Sequence, residues 1–295
     1  MGVRFFKEPD LKKPILICGW PGIGNIGFIA AETLRRSVNA EEFAEIESWD
    51  FFYPQKVMIK KGLMEDLQFP ANKFYFKKLQ AKDLLFFIAE EQPRGDRKAY
   101  QIGEYVLDVA MKFGCQRIFT SGAAVALIHH QMKPRVWAVP NKESLIDEVR
   151  RYENTILLSD IEERTGQGYI SGLNGLLIGI AKERDLEAIC LMGEFPLYVS
   201  HSTAYPKASK SVLEVLAKIL RVEIDLSHLE RWSQKTEEEI EKIYEQVPNE
   251  MKEQIEKFKS KPTELGPLGE AEKEKLFREV QEFLKRSKED GEISM

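Results

Sequence analysis

The sequence predicts an α/β fold, a mostly parallel sheet with helices on both faces, carrying a helical extension at its C-terminal end. Three observations lead there. Apolar runs of strand length alternate with segments whose apolar residues recur at helical spacing, the pattern of strands joined by covering helices. The first run, starting at Pro14, passes into glycines at 19, 22, 24 and 27 and then directly into an amphipathic stretch. Beyond about Ser227 the strand-like runs cease and charged helical patterns take over.

Strands are expected at 14–18, 84–88, 117–120, 135–139, 155–158 and 188–192, several of them bounded by glycine, proline or acidic residues. Helices are expected between them at 26–37, 99–113, 142–152, 173–184 and 206–220, the last opening on Pro206, whose fixed φ suits a first turn. Strands alternating with helices imply parallel pairing and two covered faces. Residues 57–77 interrupt this rhythm. There Val57-Met58-Ile59 and Phe74-Tyr75-Phe76 flank a polar stretch, which reads as an inserted hairpin available to an interface. The chain is therefore divided into an α/β core over 1–226, with the insertion near 57–77, and a helical extension over 227–295. In the extension, Ile240, Ile243, Tyr244, Val247, Met251, Ile255 and Phe258 form an apolar stripe that Pro248 divides. Lys261 to Gly269 then forms a turn-rich linker, and Leu276, Phe277, Val280, Phe283 and Leu284 mark a last amphipathic helix.

Bulk properties exclude several functions. A chain of 295 residues that is 43% hydrophobic buries a large core. Its 43 basic against 48 acidic residues leave a net charge of -5, so nothing draws it to a phosphate backbone and nucleic acid is not an expected partner. No segment approaches the roughly 20 apolar residues of a membrane span, and cytoplasmic residence is expected. Cys18, Cys115 and Cys190 sit in or beside apolar segments without C-x-x-C spacing, which suits small core residues better than a zinc site or a disulfide.

The glycine loops carry the functional argument. Glycine lets the backbone approach another group closely, and a helix N-terminus behind such a loop offers N–H groups to an anion. Gly22 to Gly27 even satisfies G-x-G-x-x-G, with acidic Glu47 and Asp50 downstream. The register is wrong for a dinucleotide site, because Gly19 takes the strand end and the rigid Trp20-Pro21 pair separates it from the triplet. A tight turn with close backbone packing is the alternative reading. Gly122 follows the strand at 118–120, Gly193 and Glu194 follow the run Cys190-Leu191-Met192, and Gly172 and Asn174 open a helix in which Gly175 and Gly179 clear one face for a close neighbour. In a parallel sheet these loops emerge along one edge, where α/β ligands commonly bind. The candidate ligand-binding loops are thus Gly19, Gly22, Gly24, Asn25, Gly27, Gly122, Gly172, Asn174, Gly193 and Glu194.

No catalytic residue or metal site is assigned, and no cofactor is expected. The histidines 129, 130, 201 and 228 lack H-E-x-x-H or other ligand spacing, and His129-His130 reads as capping or following a helix. Ser121 lies in TSGAA and Ser171 in ISGLN, neither of them G-x-S-x-G, and a P-loop pattern is missing. The pairs Glu90-Glu91 and Glu162-Glu163 are adjacent residues that point apart, as on a surface.

GWPGIGNIG at 19–27, GYISGLNGLL at 168–177 and LMGEFPLY at 191–198, in that order, resemble the signature regions of the proteasome assembly chaperone 2 family in its archaeal and bacterial branch. The resemblance spans roughly residues 10–225. It implies a layout related to nucleoside phosphorylases, homo-oligomer formation and, for some members, assembly or binding of the proteasome core particle. The family has also carried a label as ATP-dependent carboxylate-amine ligases. Relatives that dock on proteasome subunits use a C-terminal hydrophobic-Tyr-any tail. This sequence ends Glu292-Ile293-Ser294-Met295, so docking by that route is not expected.

Two functions follow. The first is a non-catalytic, homo-oligomeric binding or assembly protein that presents the 57–77 insertion and the C-terminal helices to a protein partner such as proteasome core subunits. The alternative is an enzyme or sensor holding a nucleotide or phosphorylated metabolite over Gly19 to Gly27, with Asn25 donating a hydrogen bond and Glu194 as acid or base.

Overall fold

A computed structural model describes residues 2–54, 57–126, 128–160, 169–200 and 203–246, and beyond these only Asn249, Lys252, Glu253, Glu256, Arg278 and Glu282. The pair Glu162-Glu163, His201, the positions Val247, Pro248, Met251, Ile255 and Phe258 of the expected apolar stripe, the linker at 261–269 and the apolar residues of the final amphipathic helix lie outside the described residues.

The fold is α/β, as expected, with a nine-stranded sheet at its centre. In chain order the strands are β1 (Val3–Phe5), β2 (Ile15–Gly19), β3 (Glu41–Ile46), β4 (Ile59–Lys60), β5 (Leu63–Met64), β6 (Asn72–Lys77), β7 (Leu84–Ala89), β8 (Arg117–Ala126), β9 (Val136–Pro140), β10 (Thr155–Ile156) and β11 (Glu187–Pro196). The large sheet runs β1-β3-β6-β7-β2-β8-β11-β9-β10, and β4 with β5 forms a separate two-stranded hairpin. Its centre, β7-β2-β8-β11, is parallel. The strands on the β1 side pair antiparallel, as does β9 with β11, so the sheet is mixed toward its margins.

The central strands are apolar throughout, since both faces are covered. One face carries α1 (Ile26–Ser37) and α5 (Pro206–Leu220), and the other α2 (Asp96–Lys112) and α4 (Gly172–Glu183). Alternate residues of one strand serve different cores: Ile15 and Ile17 meet the α1 side, Leu16 and Cys18 the α2 side. In α1 the buried residues Ile26, Ile29, Ala30 and Leu34 form one stripe, while Glu32 grips Arg35 and Arg36 on the outer face. A short helix α3 (Ile146–Val149) and its leading 3-10 turn replace the longer helix expected at 142–152. The C-terminal helix α6 (Ser227–Gln246) lies on α5 and buries Leu229, Ser233, Thr236, Ile240 and Tyr244, spaced by three and four residues.

Two expectations need correction. Phe74-Tyr75-Phe76 does not belong to the inserted hairpin: β6 pairs with β3 and β7 in the main sheet, with Phe74 fully buried among Phe43 and Phe87. The true hairpin is confined to 59–64. Likewise His129-His130 neither caps nor follows a helix, but sits fully buried just past β8.

Candidate functional site

Only part of the expected loop set is loop: Gly22, Gly24 and Asn25 follow the C-terminal end of β2, and Gly172 opens α4, but Gly122, Gly193 and Glu194 do not follow their strands, because β8 and β11 run on through them, paired, to Ala126 and Pro196. Parallel pairing of β2, β8 and β11 still sets the glycines of all three at one rim, toward their C-terminal ends. Gln92, just after β7, ties two of the motifs together: its Nε2 donates to Pro21 O at 2.7 Å, and its Oε1 accepts the Leu173 N–H at 3.2 Å. The first-loop glycines and the N-terminus of α4 are thereby held side by side.

At this rim the missing side chains make room for the protein's own atoms. A Cβ on Gly27 would stand 1.9 Å from the Ser121 carbonyl oxygen, so α1 rests directly on the backbone of β8. Gly19 faces Ala31 in the same way, Gly122 admits the Asn174 side chain, and Gly193 lies against Ala208 of α5. Gly24 has φ +62° and lies under the Phe195 ring, which stacks edge-on against the fully buried Tyr205. Its carbonyl accepts the Tyr205 N–H at 2.9 Å. Asn25 is left-handed at φ 51°, donates its backbone N–H to Gly22 O at 2.9 Å, and makes no side-chain cap on α1. Gly22 and Gly172 face only Gln92. Gly175 abuts the Ile170 carbonyl, whereas Gly179 meets nothing within 4 Å, so the expected small-residue face of α4 reduces to its first turn.

Glu194 is 1% exposed and its oxygens are occupied. Arg135 donates to it from its backbone N–H at 2.9 Å and from Nη2 at 2.7 Å, and Trp137 Nε1 donates at 3.0 Å. These contacts tie β11 to β9 and to the residue preceding it through charge-assisted hydrogen bonds. Ser121 is buried, its hydroxyl directed at Gly27 O. The three cysteines are buried and free, and desolvation raises the thiols of Cys115 and Cys190 to about 11 and about 12. Thiols held neutral in this way are poor nucleophiles. Among the described residues no group of three or more His, Cys, Asp or Glu side chains could hold a metal ion. No helix among them is long and apolar enough to cross a membrane.

The chain between β3 and β6 contrasts with this filled rim. Of thirteen large apolar side chains exposed among the described residues, eight fall in this one connection. They include Trp49, Tyr53, Ile59, Leu63, Met64 and Leu67, with Ile59, Leu63 and Met64 each at least 72% exposed. Scattered apolar exposure is ordinary, but concentration on one arm marks an interaction surface. A two-stranded hairpin is also marginal in water unless its face is covered. The sequence signal was present at Val57-Met58-Ile59, whereas Trp49 and Tyr53 were not singled out. Gln92, Arg135, Trp137, Phe195 and Tyr205 were also missed, because each matters only through partners distant in sequence.

Comparison with known proteins is consistent with this architecture. A family model described as PAC2 family matches residues 16–244. An uncharacterized protein of Methanocaldococcus jannaschii is 30% identical over 237 residues, covering 80% of this chain and 84% of that protein. The crystal structure of Pyrococcus furiosus PbaB, an archaeal proteasome activator, superposes with a TM-score of 0.70 at 32% identity, covering 82% of this chain and 98% of that one. Pyrococcus furiosus PbaA, an archaeal homolog of proteasome-assembly chaperone, shares the fold with a TM-score of 0.61 at 22% identity, over 83% of this chain and 97% of that one.

Proposed function

The chain belongs to the PAC2 family, and from that premise we propose that it is a homo-oligomeric, non-catalytic binding protein that assists proteasome core subunits. One observation carries the reading: the arm between β3 and β6 displays Ile59, Leu63, Met64 and their neighbours to solvent, while the glycine rim is filled from within. A partner's unpaired apolar interface, covered by that arm, is held in register and kept from aggregating until the next subunit replaces it. The likeness to PbaB supports the choice of partner. Oligomer formation positions several arms at once and raises their effective concentration against a partner with repeated subunits.

The test is affinity capture from native extract of the source cells, with mass spectrometry of what is retained. Wild-type protein is expected to retain proteasome core subunits or their precursors, and Leu63→Asp with Met64→Asp to lose them by at least tenfold. Both side chains are 75% exposed, so the variant keeps its fold. Consistent absence of those subunits from wild-type captures refutes the partner. Solution mass at a multiple of 34.0 kDa checks the oligomer separately.

A further inference from the structure

We propose that the β4–β5 hairpin enters an apolar cleft of its protein partner, and that Lys61 at the hairpin tip selects clefts with carboxylates at their inner end. This rests on the arm's being the docking surface for core subunits, and it names the chemistry of the surface that the arm fits.

The hairpin offers apolar side chains on both of its faces. Ile59 stands opposite Met64 and Lys60 opposite Leu63, so the two pairs project to opposite sides of the ribbon. The Glu65 N–H donates to Met58 O at 2.9 Å and carries the pairing one residue further. Ile59 and Met64 thus share one face, Met58 and Leu63 the other, and all four are exposed. A flat patch covers only one of these faces, whereas a cleft covers both. The root of the arm is fixed, so the tip is presented and does not fold back. Phe51 and Phe52 are buried, with Phe51 edge-on to Tyr105 of α2. Where the arm leaves the sheet, Ser48 Oγ donates to Pro70 O at 2.5 Å, and Asn72 Nδ2 donates to Ser48 Oγ at 2.9 Å and to Pro70 O at 3.1 Å. An arm held at its root in this way meets a partner with less ordering cost.

The tip is cationic. Lys61 and Gly62 join the strands with φ of 50° and 77°, both left-handed, which is the type I′ turn of a two-residue hairpin. Asparagine or glycine takes the first of these positions with less strain than lysine, so the turn itself does not call for Lys61. What lysine adds is charge. From Val57 to Met64 the hairpin carries Lys60 and Lys61 and no carboxylate, on a chain whose net charge is -5. Lys60 is taken up by Glu65 at 3.5 Å. Lys61 is exposed and makes no ion pair among the described residues. An ammonium group at the leading end of an apolar hairpin draws in carboxylates over about 10 Å before contact and turns away cationic clefts. An anionic bilayer shares part of this chemistry, but the net charge of the chain opposes its approach, which favours a protein.

Lys61→Asn is the informative substitution, because Asn-Gly is a preferred pair for this turn: the hairpin is kept and only the charge is removed. Full-length wild type, Lys61→Asn, Lys61→Arg and Lys61→Glu are each used to capture proteasome core subunits from native extract of the source cells, at about 50 mM and about 500 mM salt, with mass spectrometric quantification. At the lower salt Lys61→Asn is expected to retain about threefold less than wild type, the effect of one exposed charge pair. Lys61→Glu is expected to retain about tenfold less, since lost attraction and new repulsion each contribute about threefold, and Lys61→Arg to match wild type. At the higher salt the four are expected to converge. Capture by Lys61→Asn that equals or exceeds wild type at the lower salt assigns Lys61 to the turn alone and overturns the inference, while the arm as docking surface is reported separately by Leu63→Asp with Met64→Asp. Wild-type protein that retains no core subunits refutes the partner and this inference together. Sedimentation with vesicles of phosphatidylglycerol and phosphatidylcholine in equal parts is expected to leave the protein in solution, and Lys61-dependent binding to them overturns the choice of a protein partner.

Discussion

Replacing Gly27 by alanine tests whether the glycine rim exists for packing. The added methyl would lie 1.9 Å from Ser121 O and 2.5 Å from Ser121 C, both main-chain atoms of a central strand. Ordinary van der Waals contact begins near 3.4 Å, so α1 must retreat by about 1.5 Å, the difference between the two distances. No side chain can rotate to relieve this clash. The retreat also loosens Ile26, Ile29, Ala30 and Leu34 from their core, which adds a cavity cost to the overpacking cost. We expect a loss of about 3 kcal/mol or more, at the upper end of measured overpacking. For a domain of this size that lowers Tm by about 6–12 °C. Gly179→Ala in α4 is the matched control, since nothing lies within 4 Å of its added methyl and it occupies an exposed helix interior. Alanine there gains about 0.5–1 kcal/mol of helix propensity. Thermal unfolding followed by circular dichroism reads both variants. If Gly27→Ala falls within about 1 kcal/mol of wild type, the helix does not rest on the strand as described and the rim has space for something else.

Three further outcomes are expected. ATP, ADP and inorganic phosphate at millimolar concentration leave Tm unchanged in a thermal-shift assay; a ligand present at 100 times its Kd would add about 2.7 kcal/mol, so a clear rise would restore the nucleotide reading. Cys18, Cys115 and Cys190 give no reaction with a thiol reagent at pH 8 in native protein and three equivalents in denaturant, and native reactivity at any of them would contradict their burial. Acid titration of stability reports on Glu148. Although burial pushes its carboxyl up, bonds from Arg117 and Tyr152 prevail and hold it low. A depressed folded value means that its contribution is complete above the usual glutamate range and is lost as pH falls through that lower value. Glu148→Gln should therefore flatten the decline below about pH 4.3, and an unchanged acid slope would remove this pair from the account.

Much of the architecture was legible because it is written in local period and composition. Helix α1 starts and stops at the residues its apolar spacing indicates, and α5 does so from Pro206 onward. The strands that escaped notice are instructive. Glu41–Ile46 reads as a charged stretch, and a register shift between Glu42 and Ala44 breaks its alternation, so no period-two signal survives. Val3–Phe5 is three residues long at the sheet's edge, too short to show any period. Phe74 was visible as a strand residue, but whether it belonged to a hairpin or to the sheet depends on β3, where its partner Ala44 lies thirty residues upstream in a register that only folding supplies.

By itself, the sequence determined that the central apolar runs would pair in parallel, that glycines would follow the end of β2, and that three isolated cysteines would be core residues, although the run at 135–139 pairs antiparallel. These are consequences of hydrophobic pattern and of glycine's missing side chain, both local properties. Only the tertiary structure decided what fills the space each glycine leaves, that Glu194 is held by Arg135 and Trp137, and that His129 and His130 face glutamates more than a hundred residues downstream. Such contacts depend on the distances between elements after packing. A linear pattern of residue types carries no such distances.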